Sequence, residues 1–323
     1  MITADHLWLL AAALVLDALI GDPDWLWRRF PHPVAWFGAL IARLDASLND
    51  DRLPEGQRRW RGVVAITVVA VLAGAAGFAL EALFRALPFG WLGTFIVAAI
   101  FLAGRSLNDH VAAVAAAFAE GLPAARKAVS RIVGRDPESL DEAAVSRAAI
   151  ESTAENFSDG VVAPALWFAL LGLPGLVGYK AINTADSMIG HLSPRHRDFG
   201  RAAARLDDWV NWPASRLAGA LIALTAPIVG GGIATAFRTM AADAPKHRSP
   251  NAGWPEAAMA AALRLALAGP RRYAGTVVDD PFMNAVGRRD ATTDDIRRAL
   301  TVYRAANALL LALVLAGAAL LAQ

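Results

Sequence analysis

Long apolar runs alternate with arginine-rich polar segments along this chain. Residues 7–20, 62–80, 86–104, 160–179, 217–237 and 305–323 form six such runs. The last five contain no Asp, Glu, Lys or Arg, and each approaches the roughly 20 residues a spanning helix needs. The first is shorter and carries Asp17. Between the runs lie larger polar segments at 21–61, 105–159 and 238–304. Ser139-Leu140-Asp141-Glu142 reads as a capping-box start for a helix running unbroken through 143–156, and Thr292-Thr293-Asp294-Asp295 repeats the signature ahead of the last apolar run. Period-two alternation is nearly absent and no repeat recurs at a fixed spacing. The pattern predicts an all-α, polytopic helical membrane protein with amphipathic cytoplasmic helices and about five or six membrane segments. It reads as one helical membrane domain over 1–323, with cytoplasmic helical insertions near 105–159 and 238–304.

Charge then complicates the topology. With simple spans, the three large polar segments share one side, and their Arg and Lys content makes that side cytoplasmic. Residues 180–216 then fall outside, although they carry Lys180, Arg195, Arg197, Arg201, Arg205 and Arg216. The run between is broken by Pro164, Gly172, Pro174, Gly175 and Gly178. Such breaks are tolerated at membrane depth where backbone is buried in protein or lines a cavity. Two readings stand at this point: a re-entrant segment that dips in and returns, or an ordinary span that violates the charge rule.

At 56% hydrophobic, 19% charged and mean hydropathy +0.40, the composition agrees with a membrane protein. Residues 1–6 have neither Lys nor Arg, so the first run reads as an uncleaved segment and not a secretory signal. Zero cysteines exclude disulfides, thiolate nucleophiles and Cys-ligated metals. The net charge of +2 and the lack of any basic, aromatic-interleaved stripe argue against nucleic acid as a partner. No Walker loop, nucleophile elbow or HExxH motif is present.

The candidate chemistry sits in a polar block between apolar runs, from Glu151 to about Arg216. Polar residues so close to hydrocarbon-length segments are expensive, which makes function the default reading. Arg147, Glu151, Glu155 and Asp159 recur every four residues along one helix face. A surface ion pair accounts for Arg147 and Glu151. It accounts poorly for Glu155-Asn156-Phe157-Ser158-Asp159, which abuts an apolar run and is expected to be desolvated. Two carboxylates and a carboxamide suit a hard cation such as Mg²⁺. Asn183 and Asp186 share a second face one turn beyond Lys180, a point cation for phosphate or carboxylate. Arg205 and Asp208 share a third, and Asp207-Asp208 implies solvent, a cation or an Arg partner. The plainer alternatives are a solvated helix start for the second set, surface or capping roles for His191 and His196, and interfacial anchoring for Trp212.

Several motifs in order resemble the CobD/CbiB family of cobalamin-biosynthesis membrane proteins. They are Gly21-Asp22-Pro23 with His32-Pro33-Val34, Ser152-Thr153-Ala154-Glu155-Asn156 with Asp159-Gly160, and Tyr179-Lys180-Ala181-Ile182-Asn183-Thr184 with Asp186-Ser187-Met188. Asp207-Asp208 with Asn211 and Ser249-Pro250-Asn251-Ala252-Gly253-Trp254-Pro255-Glu256 complete the set. The resemblance implies adenosylcobinamide-phosphate synthase activity: amide formation between adenosylcobyric acid and aminopropanol or its phosphate, dependent on ATP and Mg²⁺, in the bacterial inner membrane. On that reading Lys180, Glu155, Asp159 and Arg205 are the expected catalytic residues. Asn156, Asn183, Asp186 and Asn251 are expected to contact nucleotide, and Glu155, Asp159, Asp207 and Asp208 to hold metal. The active face is expected to be cytoplasmic, with other cobalamin-pathway enzymes as partners. At Pro281-Phe282-Met283-Asn284 the chain departs from the acidic-glycine turn of relatives, which leaves Asp279 and Asp280 without a site role. A transporter or a scaffold for corrinoid-pathway components is the alternative.

Overall fold

The computed structural model describes residues 2–133, 138–273, 276–278 and 280–323. Among these, five helical stretches are long and apolar enough to cross a membrane: Glu55–Ala86, Trp91–Glu120, Glu142–Ile189, Arg201–Val229 and Thr293–Leu321. The protein is therefore an all-α, multi-pass membrane protein. The first apolar run forms a helix, Ala4–Ile20, of 17 residues, shorter than those five. The helix expected from Ser139 starts two residues later: Asp141 is its cap, accepting from Ala144 N at 2.7 Å. The second capping signature holds, with Asp295 Oδ2 accepting from the Thr292 N–H at 2.9 Å.

Contacts divide the chain into two compact units, each discontinuous in sequence. The first comprises Met1–Ala103, Ala163–Asn211 and Val314–Gln323. Its long helix Glu55–Ala86 buries Gly62, Ala65, Ile66, Val69, Ala73, Gly77 and Glu81, positions three or four apart on one face. The opposite face leaves Val64, Val71, Leu72 and Phe78 exposed, the inverse of a water-soluble surface and the expected lipid contact. The buried glycines let another backbone come close. A Cβ at Gly77 would lie 2.6 Å from Leu173 O and 2.8 Å from the Cα of Pro174.

That contact marks where the Gly160–Tyr179 region breaks. Gly172 has φ +66° and ψ −148° inside an otherwise helical stretch, followed by Pro174. A Cβ on Gly175 would meet Trp167 O at 2.4 Å and Leu171 Cβ at 2.7 Å. Eight residues of straight helix span about 12 Å, so the chain bends back sharply here. Buried Glu81 accepts the Leu173 N–H at 2.9 Å, satisfying a donor that the break sets free.

The second unit comprises Gly104–Val162 and Trp212–Leu313. Its centre is the helix Gly253–Leu263, whose every residue except Trp254 is buried. Arg264, at φ +58°, ends it. The helix is thus core. Beyond it, short strands appear that the sequence does not signal: Leu267–Ala268 pairs antiparallel with Phe282–Met283, and Arg271–Tyr273 with Thr276–Val278. Asp279 lies outside the described residues.

Candidate functional site

In the first unit, two helices face each other through a short polar ladder. Tyr179 and Asn183 are one turn apart on one helix, as are Asp207 and Asn211 on the other. Asn183 Nδ2 donates to Asp207 Oδ1 at 3.2 Å, and Asn211 Nδ2 donates to Asp207 Oδ2 at 3.0 Å. Tyr179 Oη donates to Asn211 Oδ1 at 2.9 Å. Asp207, Asn211 and Tyr179 are buried, so each bond forms where an unmade one would be costly. Asp186 lies close enough for its charge to be felt at both Asp207 and Asp208. Lys180 is half-buried on the same helix as Asn183 and Asp186, and Arg205 is exposed on the helix of Asp207. The structure therefore gathers Lys180, Asn183, Asp186, Asp207, Asp208 and Arg205 onto two neighbouring helices of one unit.

His32, from the His32-Pro33-Val34 motif, joins this unit. Its Nδ1 accepts the Val34 N–H at 3.2 Å, and its Nε2 lies 3.3 Å from Ile100 O and 3.9 Å from Asp22 Oδ1. The Trp27 ring stands edge-on to it at 4.4 Å between centroids. Burial holds the imidazole below its ordinary value of 6.5, and Lys180 adds to that, against the opposing pull of Asp22 and the Ile100 carbonyl. Burial thus disfavours the protonated imidazole. The signal available in the sequence was a single His set between two prolines.

The segment 190–200, which joins the two ladder helices, is tied down by charge. Arg195 Nη2 meets Asp45 Oδ2 at 2.9 Å, Arg59 Nε meets Asp198 Oδ1 at 2.8 Å, and Asn49 Nδ2 donates to Arg195 O at 3.0 Å. His196 approaches Asp45 at 3.4 Å, a packing role and not ligation.

Glu155, Asn156 and Asp159 belong to the second unit, on the helix Glu142–Phe157 and the π-helical turn Ser158–Val162 that follows it. π-turns inside α-helices recur at functional sites. Two expectations need correction here. Glu155 is exposed, so the desolvation argued for it does not arise. Glu151, expected in a surface pair, is buried instead, and its Oε1 accepts the Ala268 N–H at 2.8 Å because the adjoining strand leaves that donor inside. Asn156 Nδ2 donates back to Ser152 O and Oγ at 2.9 and 3.0 Å. Asn251, also in this unit, is buried with its Oδ1 accepting from Arg216 and Ser215.

Among the described residues, no group of three or more His, Asp or Glu side chains is arranged to hold a metal ion. Glu155 and Asp159 lie in one unit, and Asp207 and Asp208 in the other. A cavity of about 600 Å³ in the first unit is lined by residues including His6, Trp8, Glu81, Arg85 and Trp91, and by none of the expected site residues.

The family model described as CobD/Cbib protein matches residues 10–303. A Sinorhizobium protein named Cobalamin biosynthesis protein CobD is 53% identical over 312 residues, covering 95% of this chain and 97% of its own. Proteins of the same name from Rhizobium meliloti and Rhodobacter capsulatus are 53% and 50% identical, covering 94% and 93% of each chain. No solved structure matches. With matches spanning nearly its whole length, the chain belongs to the CobD/CbiB family.

Proposed function

We propose that this chain acts in cobalamin biosynthesis as an ATP- and Mg²⁺-dependent amide ligase. It joins a propionate carboxylate of adenosylcobyric acid to aminopropanol or its phosphate, at the cytoplasmic face of the inner membrane. Family membership and the names of the relatives support the pathway. The observation that carries the site is the buried ladder through Asp207, which fixes two helices so that Lys180, Asp186, Asp208 and Arg205 are presented together.

A carboxylate does not acylate an amine unaided at neutral pH. In the proposed reaction a propionate oxygen attacks the γ-phosphorus of ATP and ADP leaves. The amine nitrogen then attacks the acyl carbon, orthophosphate leaves, and the nitrogen gives up its proton to solvent. Lys180 and Arg205 neutralise the phosphate and carboxylate charge brought in by the substrates. Magnesium keeps several waters and needs only one or two carboxylates beside substrate phosphates, which Asp186 and Asp208 fit. Asp207 fits less well, because each of its oxygens already accepts an amide N–H, so its role is to position Asn183 and Asn211. When bound, the metal supplies charge neutralisation for phosphoryl transfer. Glu155, Asn156 and Asp159 retain a nucleotide or metal role that is tested separately.

The deciding experiment supplies protein in nanodiscs with adenosylcobyric acid and aminopropanol phosphate. Amide should form only with ATP and Mg²⁺, with one nucleotide consumed per amide. Lys180→Met should slow it, most strongly with the phosphorylated amine if Lys180 meets that phosphate. Amide formation without nucleotide, or corrinoid flux across vesicles without amide, would overturn the ligase reading.

A further inference from the structure

Arg216 lies in the second unit on the helix Arg201–Thr225 and is half-buried. Its guanidinium carbon sits 4.5 Å from the ring centroid of Trp212 and 4.5 Å from that of Trp254. Trp212 is one turn earlier on the same helix, and Trp254 opens the buried helix Gly253–Leu263. Nη1 is tied at 3.0 Å to each of three acceptors, the Trp212 carbonyl, Ser215 Oγ and Asn251 Oδ1. Ser215 and Asn251 are themselves buried, and Ser215 Oγ donates to Asn251 Oδ1 at 3.1 Å. The arginine is thus clamped at one nitrogen and its plane is fixed.

What it lacks is an acid. Among the described residues no carboxylate pairs with Arg216, and its Nε and Nη2 make no hydrogen bond. The two ring faces and the Nη1 bonds offset the burial of the cation, while Nε and Nη2 stay open to solvent as an unused donor pair. An arginine serving only as a membrane anchor extends its head toward water, away from buried acceptors. This one is drawn inward by Nη1, leaving a planar donor edge of the shape that matches oxyanions.

We propose that Arg216 is the receptor for a phosphate oxyanion. Asn251 and Ser215 orient the guanidinium, and the Trp212 and Trp254 rings hold its faces. Asn251 then acts on the ligand through Arg216, not as a direct nucleotide contact. The phosphate comes either from a soluble ester, such as the phosphorylated amine or a nucleotide, or from a phospholipid headgroup. The site stands independently of the ligase reading, because it is argued from a guanidinium clamped at Nη1 with its Nε–Nη2 edge open.

The test uses the full chain in phospholipid-free detergent, titrated with inorganic phosphate, aminopropanol phosphate and acetate, with binding read by calorimetry and tryptophan fluorescence. A parallel arm counts phospholipids retained by native mass spectrometry after mild extraction. Arg216→Met should weaken soluble phosphate binding about tenfold or more, or remove one retained phospholipid, and the arm that changes identifies the source. Arg216→Lys keeps the charge without the fork and should recover binding only in part; its melting temperature serves as the folding control. Unchanged phosphate binding and unchanged lipid retention in both variants would overturn the proposal, as would binding of acetate alone. No turnover enters the measurement, so failure of the ligase reading leaves the outcome interpretable.

Discussion

Glu155 and Asp159 differ from Asp207 in how the protein holds them, and the difference shapes what substitutions report. Asp207 is buried with both oxygens engaged, so its loss would mix stability with function. Glu155 is exposed, and Glu155→Gln should change stability by no more than about 0.5 kcal/mol. Glu155→Gln and Asp159→Asn should abolish turnover while leaving expression and membrane insertion near wild type. Near-normal activity in both at limiting Mg²⁺ would return them to a structural role. His32 offers a pH test. In the native form burial holds its value below the 6.5 of the unfolded chain. Between those values the unfolded state binds more protons, so the contribution to stability is full above pH 6.5 and shrinks as pH falls below it. The melting temperature should drop more between pH 7.5 and 5.5 in wild type than in His32→Gln; equal drops would remove His32 as the cause. The residue types at the site were legible from the sequence, but their partners were not. Four-residue spacing shows that Asn183 follows Tyr179 on one face, and it says nothing about Asp207 standing opposite.

The bend at Gly172 is the element on which the first unit's packing depends. A side chain there would adopt φ +66° and place its Cβ 2.3 Å from Glu81 Oε2, which already holds the Leu173 N–H. Gly172→Ala should destabilise the protein by about 1–3 kcal/mol, seen as a lower melting temperature in detergent. Gly74→Ala, on the same long helix as Gly77 but with nothing within 4 Å of a new Cβ, should be near neutral or slightly stabilising. Equal effects at both positions would mean that the bend is not the constraint. Glycine and proline spacing announced this break, and hydropathy announced the long helices, because both are local properties. The antiparallel pairs near 267–283 were hidden because strands of two or three residues are too short to show alternation. The Ala-rich sequence of residues 253–263 has no distinct polar face. Burial on all sides gives the same pattern.

At the scale of the whole molecule, the chain passes between two compact units within the polar block, after Val162 and again after Asn211. Hydropathy cannot reveal such a division, since each unit is assembled from segments distant in sequence. Charge, by contrast, bears on sidedness. The segment 190–200 carries Arg195, His196 and Arg197, which meet Asp45, Asp45 and Glu55, while its Asp198 holds Arg59, so its cations are structural fixtures and not an incidental loop composition. A bend at Gly172 that returned the chain to the side it left would keep those charges with the other arginine-rich segments. The absence of cysteine makes this directly testable with single replacements at the exposed positions Ser139 and Leu192. In right-side-out vesicles both should be protected from an impermeant maleimide, and in inverted membranes both should react. Labelling of Leu192→Cys from outside, with Ser139→Cys still protected, would make the region an ordinary span. The arginines after it would then be an exception to the charge rule, and the cytoplasmic placement of Lys180 and Asp186 would fall with it.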